Sequence, residues 1–298
     1  MNDVEKYVAV ILLISLPGLL GGLGLLALDT IESALGAKRV TSITVYAPPS
    51  LAKPLEEFVA LFESRYSVKV NVVVGATGHL ISRLEIARDA DVLITADHVY
   101  MELAVKRELV DPSTIKPLSV VVPAVLISRH SNVELKSSRD LVQLAEVGAR
   151  IGIPDPEVAP MGRLAVKVLE NLGIYNHIRD RLLVFSDVGV TWRNLVSGAI
   201  DVAILPHVVW FSSPYDASIL WLEPELLEDA ATCILAGVTK FTKSKDLAEL
   251  FIRELATYIG EQDPSRTGLT ISVRELASIS RADYTALKVP GVCRGGYG

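Results

Sequence analysis

The sequence predicts an α/β fold. Short apolar runs rich in β-branched residues alternate along the chain with segments whose apolar residues recur at helical spacing. Half of the 298 residues are hydrophobic, which is enough to bury one large core or two modest ones and argues against disorder. The clearest unit spans residues 43–80, where strand, helix, strand and helix follow one another with a small polar residue at each helix entrance.

In this opening unit, Ile43–Tyr46 predicts a strand, and a helix follows on the stripe Leu55, Phe58, Val59 and Phe62. Ser50 stands at the expected N-cap of that helix. The valine-rich run Val68–Val74 predicts a largely buried parallel strand.

A second helix is expected after the small-residue turn that contains Thr77, and Val92–Thr95 predicts a third strand. Asp97 is expected to cap the helix that follows. In a β-α-β-α unit, the helix N-termini meet at the carboxyl edge of the sheet, where unpaired N–H groups favour an anion.

The later part of the chain predicts a second α/β unit. Leu118–Ser128 is long for one strand and contains Pro123, so it is expected to pass from one lobe to another. Strands are predicted at 151–153, 183–185, 202–205, 219–222 and 232–238, with a loop at 154–161 and helices from Gly162, from residue 187 and around 247–259. The segment after Gly268 has no readable role.

Charge and motifs exclude several classes of function. The net charge is −6, and 28 basic against 31 acidic residues remain after residue 37, which argues against nucleic acid as a partner. The five histidines have no metal-ligand spacing, and no nucleophile elbow or phosphate-gripping loop occurs. We therefore expect no enzyme activity, no cofactor and no metal cation, and any anion site must work through local donors.

The N-terminus predicts a membrane segment. Val8 to Leu28 form 21 residues without a charge, about the length that spans a bilayer. An uncleaved anchor is favoured over a cleaved signal peptide, because the run is long and no clearly basic region precedes it. Either way the body is expected outside the cell, bound to the membrane or secreted; a cytoplasmic body is the minor alternative.

Cys233 and Cys293 are the only cysteines, sixty positions apart. A disulfide suits an oxidising exterior, but two unpaired, partly buried thiols are the preferred interpretation.

Three segments carry a family resemblance: TVYAPPSLAKPLEEF, VGATGHLISRLEIARDADVLITAD and IGIPDPEVAPMGRLAVKVLENLGI. They are similar, in order, to the motifs of the molybdate-binding solute receptors of ABC transporters, over about Ile43 to Val238. The resemblance implies a type II periplasmic-binding-protein fold, with two lobes joined by two crossing strands. The implied divisions are 1–40 for the anchor or signal, 41–122 for lobe 1, 123–231 for lobe 2, and 232–298 for the return to lobe 1 and a tail.

The resemblance also implies a function and a site. The function is the capture of a tetrahedral oxyanion, molybdate or tungstate, and its delivery to a permease and ATPase complex, by a protein expected to be a monomer. Carried over by position, the contacts are Ser50 and Thr77 from lobe 1 and Met161 and Val188 from lobe 2, the last two through main-chain N–H groups. The alternative for the two hydroxyl residues is helix capping. For Met161 and Val188 it is loop and core packing.

The sequence departs from the family pattern in three places. Pro48 and Pro49 replace alanines and remove two N–H groups, while Thr77 replaces a serine. Pro206 stands where the family has a tyrosine hydroxyl, with His207 and Tyr215 as weak candidates to replace it. A receptor for sulfate or a small organic anion, or a membrane-anchored oxyanion sensor, therefore stays open.

Overall fold

The computed structural model describes residues 42–146, 148–280 and 282–294, which form two five-stranded sheets flanked by helices. The strands are β1 Ser42–Ala47, β2 Lys69–Val74, β3 Val92–Thr95, β4 Lys116–Val121, β5 Pro123–Ser128, β6 Ile151–Pro154, β7 Leu183–Phe185, β8 Val202–Pro206, β9 Ala217–Trp221 and β10 Thr232–Val238. The helices are α1 Ala52–Tyr66, α2 Thr77–Ala87, α3 His98–Lys106, α4 Asp140–Glu146, α5 Pro160–Asn171, α6 Tyr175–Ile178, α7 Val188–Val196, α8 Lys245–Gly260, α9 Pro264–Thr267 and α10 Val273–Ser280.

The first sheet has the order β2-β1-β3-β10-β4. Strand β1 pairs in parallel with β2 and β3, and β10 runs antiparallel between β3 and β4. The prediction of a largely buried β2 was wrong, because β2 is an edge strand and Val74 is 47% exposed. Its parallel pairing still places the start of α2 at the carboxyl edge of the sheet.

The second sheet has the order β7-β6-β8-β5-β9. The long run that contains Pro123 is divided as predicted: β4 ends at Val121 in the first sheet and β5 begins at Pro123 in the second. The chain returns to the first sheet through β10. The two sheets therefore define two lobes joined by crossing segments, as the family resemblance implied.

Two helix starts differ from the sequence prediction. Ser50 lies in a 3-10 turn, Pro49–Leu51, and helix α1 begins only at Ala52, so Ser50 is not its N-cap. Helix α5 begins at Pro160, where a missing N–H costs little, so Met161 lies in its first turn and not in a loop. The predicted cap of α3 is confirmed, since Asp97 accepts the N–H of Tyr100 at 2.9 Å.

The C-terminal segment packs against both sheets. Thr270 exchanges hydrogen bonds with β4, accepting the N–H of Val120 at 2.6 Å, and the Tyr284 hydroxyl donates to the Leu222 carbonyl at 2.6 Å. Cys233 of β10 and Cys293 form a disulfide, so the preferred interpretation of two free thiols was wrong. The sequence alone could not show that sixty residues of chain return one cysteine to the other.

Within the described ranges, no helix combines the length and the apolar character needed to cross a bilayer. The predicted membrane segment, residues 8–28, and the 1–40 division that contains it lie outside those ranges.

Candidate functional site

The four residues predicted to contact an anion line one small cavity between the lobes. Ser50 and Thr77 come from the half of the chain that builds the first sheet, and Met161 and Val188 from the half that builds the second. About 20 Å³ of the cavity is open to the centre of a water molecule, which is the space of about one water-sized group. The family motifs, distant along the chain, therefore converge on one point.

Three helices begin at this cavity. Thr77 is the first residue of α2, Met161 the second of α5 and Val188 the first of α7. The backbone N–H groups of these three residues have no acceptor among the described residues, because the first turn of a helix lacks intrahelical partners for its donors. Each helix therefore directs unpaired donors and the positive end of its dipole at the same space.

Two hydroxyl groups add to these donors. The Thr77 side chain is almost fully buried, and its oxygen accepts the Ala96 N–H at 3.3 Å, which leaves its own hydrogen free for a ligand. Ser50 is 9% exposed and its hydroxyl has no partner among the described residues. Neither side chain caps its own helix. Capping, the alternative function for these hydroxyls, does not occur.

The cavity wall carries no cationic side chain among its described residues. Its one charged member is Asp187, whose carboxylate caps α7 by accepting the Val190 N–H at 2.8 Å and also accepts the Ser186 hydroxyl at 3.3 Å. A bound anion must therefore be stabilised by dipoles and neutral donors, against the charge of this capping carboxylate. From the sequence, Asp187 was expected only at a helix start; nothing in its spacing indicated that it borders the site.

Pro206 ends β8 at the cavity wall and offers no donor. His207 does not replace the missing hydroxyl: its ring is fully buried, with Nε2 2.9 Å from the Gly268 carbonyl and Nδ1 3.3 Å from the Val122 N–H. Burial lowers the pKa of His207 to about 4. Tyr215 is 86% exposed, so neither candidate supplies a donor.

A larger chamber of about 460 Å³ adjoins the small cavity and shares Pro49, Ser50 and Val188 with it. Half-buried Trp192 and Tyr258 line it, together with polar residues from both ends of the chain. Both aromatic residues lie within helices that were predicted from residue 187 and around 247–259, but nothing in the sequence indicated the chamber.

Several contacts cross between the lobes beside the cavity. The Gly78 N–H donates to the Val158 carbonyl at 2.9 Å, and the Tyr100 hydroxyl donates to the Glu157 carbonyl at 3.0 Å. On the chamber side, Lys53 Nζ donates to the Ser212 carbonyl at 3.1 Å. These contacts bring the lobes together around the cavity. In the described part of the chain, no group of three His, Cys, Asp or Glu side chains is arranged to hold a metal cation.

Comparison with known proteins gives one family. The family described as bacterial extracellular solute-binding protein matches residues 43–262. The molybdate-binding protein ModA of Escherichia coli is 29% identical over 149 residues, which are 49% of this chain and 58% of that protein. A putative binding protein of Haemophilus influenzae is 24% identical over 168 residues, 56% of this chain and 66% of its own length. The chain thus matches less than two thirds of either curated relative.

Solved structures show the same fold at lower identity. The periplasmic molybdate-binding protein of Azotobacter vinelandii superposes with a TM-score of 0.64 and 19% identity, covering 83% of this chain and 99% of that one. This likeness shows the two-lobed α/β architecture.

Proposed function

The chain belongs to the family of bacterial extracellular solute-binding proteins, a family of receptors and not of enzymes, and from that premise we propose that it captures a tetrahedral oxyanion. The ligand is molybdate or tungstate, held between the lobes and delivered to an ABC permease and its ATPase. The observation that carries this proposal is the convergence of three helix N-termini and two hydroxyl groups on one small cavity, whose described lining residues include no cationic side chain. The names of two relatives, both molybdate-binding proteins, support the choice of ligand.

The donor set suits a fully ionised dianion. Such an ion has only acceptor atoms, so a site built of donors satisfies it, whereas a protonated phosphate also requires an acceptor. Ser50 and Thr77 donate through their hydroxyls, and Met161 and Val188 through backbone N–H groups. Because each lobe supplies half of these donors, binding favours the closed arrangement of the lobes. Pro206 offers no donor at its position in the wall. The size of the closed cavity decides which of the tetrahedral ions is bound.

We expect molybdate or tungstate to bind far more tightly than sulfate or phosphate. The donors in the cavity are neutral and all four ions are tetrahedral, so the size of the ion decides how well it fits them. A protonated phosphate is disfavoured as well, because its hydroxyl requires an acceptor. Calorimetric titration of the chain from Lys38 onward with the four anions measures the order. Sulfate binding as tight as molybdate binding would contradict the proposed ligand.

Ser50→Ala and Thr77→Ala should each weaken binding about tenfold to a hundredfold, because a charge-assisted hydrogen bond in a poorly hydrated site contributes roughly 1.5–3 kcal/mol. Ser82→Ala is the matched control: its hydroxyl donates to the Gly78 carbonyl on the same helix α2, and its side chain is exposed. Affinity and melting temperature are measured on all three variants. If Ser50→Ala and Thr77→Ala lower only the melting temperature, these residues do not contact the ligand.

A second candidate ligand is a small organic anion, supported by the adjoining chamber with Trp192 and Tyr258. The aromatic ring of such an anion would occupy the chamber, and its anionic group would reach the donors of the small cavity. Including phenylphosphonate in the same titration separates this candidate, since it should then bind more tightly than inorganic phosphate.

The proposed location is the outer face of the cell membrane, with residues 8–28 as the anchor. Fractionation of cells that express the whole chain distinguishes an anchored protein from a released one. A sensor with the same fold would bind the same ion but would not raise its uptake by cells that contain the permease.

A further inference from the structure

An ion pair between a buried aspartate and a half-exposed arginine joins the two lobes beside the anion cavity. Asp97, at the start of α3, belongs to the first lobe, and Arg163, in the first turn of α5, belongs to the second. The Asp97 side chain is completely buried, and its second oxygen accepts a hydrogen bond from Arg163 Nη2. Its first oxygen is used by the cap of α3.

This pair is connected to the proposed ligand contacts on both sides. The Ala96 N–H donates to the Thr77 hydroxyl, and Asp97 is the next residue. Arg163 lies two residues after Met161 on the first turn of α5. The ion pair therefore joins the backbone segments that hold one ligand donor in each lobe.

We propose that Asp97 and Arg163 act as a positioning pair, an inter-lobe latch that holds α5 against the first lobe and sets how long the closed state lasts. This inference rests on the proposed capture of an anion between the lobes, and extends it to the rate of release. Neither residue lines the anion cavity, so the latch acts through Thr77 and Met161 and not by touching the ligand.

Burial gives the latch its effect. In the closed arrangement the Asp97 carboxylate is removed from water, and Arg163, whose side chain is 41% exposed, is its ion-pair partner. Removing one partner of a buried pair leaves an uncompensated charge, which is strongly destabilising. The guanidinium Nε of Arg163 is itself buried and has no hydrogen-bond partner in the part of the chain that the structure describes, while Nη2 of the same guanidinium binds Asp97. Opening the lobes separates the pair and hydrates both groups.

The contact surface around the latch is tight. The hydrogen bond from the Gly78 N–H to the Val158 carbonyl crosses the cleft nearby, and a Cβ added at Gly78 would meet the same carbonyl oxygen at 2.9 Å. The Gly78 amide is thus protected from solvent exchange only when the lobes are closed. Its exchange rate reports closure directly, whichever ligand is present.

The first test compares release rates. Arg163→Met keeps the apolar stem and removes the charge, and should speed the dissociation of molybdate at least about tenfold while changing association less than about threefold. Arg150→Met is the matched control, because Arg150 also binds an aspartate, Asp201, through two guanidinium nitrogens at 2.8 and 3.0 Å but within the second lobe. The control should lower the melting temperature and leave dissociation unchanged. Equal dissociation rates for wild type and Arg163→Met, or equal acceleration in both variants, would overturn the latch.

Asp97→Asn keeps a side-chain oxygen to cap α3 and removes the charge. If the two residues act as one pair, the double variant Asp97→Asn with Arg163→Met should release molybdate no faster than Arg163→Met alone. If the increases in dissociation rate of the two single variants multiply in the double variant, the two residues act separately and the inference is contradicted.

The second test does not depend on the identity of the ligand. Hydrogen exchange at the Gly78 amide is measured in the full chain, with and without molybdate, for wild type, Arg163→Met and Arg150→Met. We expect lower protection in Arg163→Met than in the other two proteins, even if no tested oxyanion binds and the proposed function fails. Equal protection in all three proteins, including no protection in any of them, would show that the pair does not hold the lobes together.

Discussion

Replacing Cys233 and Cys293 together by alanine should lower the free energy of unfolding by about 4 kcal/mol. The disulfide closes a loop of sixty residues, and in the chain-entropy account a loop of that length restricts the unfolded chain by about this amount. Both side chains are buried, so the small alanine side chain avoids leaving an unsatisfied polar atom in their place. Urea unfolding of the two proteins, with and without a reductant, measures the difference.

Reductant should destabilise the wild type and leave the double alanine variant unchanged. Equal free energies of unfolding for the two proteins without reductant would show that the disulfide does not stabilise the fold. The tail also has non-covalent anchors, including the Tyr284 hydroxyl on the Leu222 carbonyl and the ladder between Thr270 and β4. We therefore expect the reduced protein to stay folded with its tail docked.

The fold was largely predictable because its helices and strands are periodic. The stripe Leu55, Phe58 and Phe62 is buried on α1, and Pro123 marks the point where the chain leaves the first sheet. The position of β2 was not predictable, because a valine-rich strand looks the same at the edge and at the centre of a parallel sheet. Which strand becomes its neighbour is decided by the whole topology.

The start of the first helix shows a different limit. Ser50 precedes a strong helical stripe, yet Pro48 and Pro49 fix two successive φ angles and produce a 3-10 turn, so the α-helix begins at Ala52, one residue later than an N-cap at Ser50 predicts. That shift leaves the Ser50 hydroxyl free for the cavity. The local rule thus failed at a residue proposed to bind the ligand.

The candidate site was placed by family motifs and not by composition, since no single segment shows which turns will meet. What the sequence could not indicate are the pairs formed between lobes. Arg163 lies 66 positions from Asp97, and the charge of each residue is equally consistent with a solvated helix surface. Such pairs exist only after both lobes have folded and approached each other.

Acidification from pH 7 to pH 4 should remove about 3 kcal/mol of stability through His207 alone. Burial holds the pKa of His207 at about 4 in the folded protein, against about 6.5 in the unfolded chain. Between these two pH values His207 binds a proton in the unfolded state but not in the folded state. The stability that the neutral ring contributes is therefore fully present above pH 6.5 and falls as the pH decreases. At pH 5 the expected loss is about 2 kcal/mol.

The neutral ring with its proton on Nε2 fits both neighbours, because Nε2–H can donate to the Gly268 carbonyl while Nδ1 accepts the Val122 N–H. His207→Gln keeps polar atoms in this place and cannot titrate, so its stability should change much less over the same range. Carboxylates such as Asp111, whose pKa is lowered to about 2 chiefly by its hydrogen bond with Lys245, act mainly below pH 4 and are common to both proteins.

Urea unfolding at intervals from pH 4 to 7 gives the stability of both proteins as a function of pH. Parallel curves would show that His207 does not titrate in this window. Because Val122 joins β4 to β5, a divergence that follows the histidine would place a proton-sensitive contact at the segment that links the lobes.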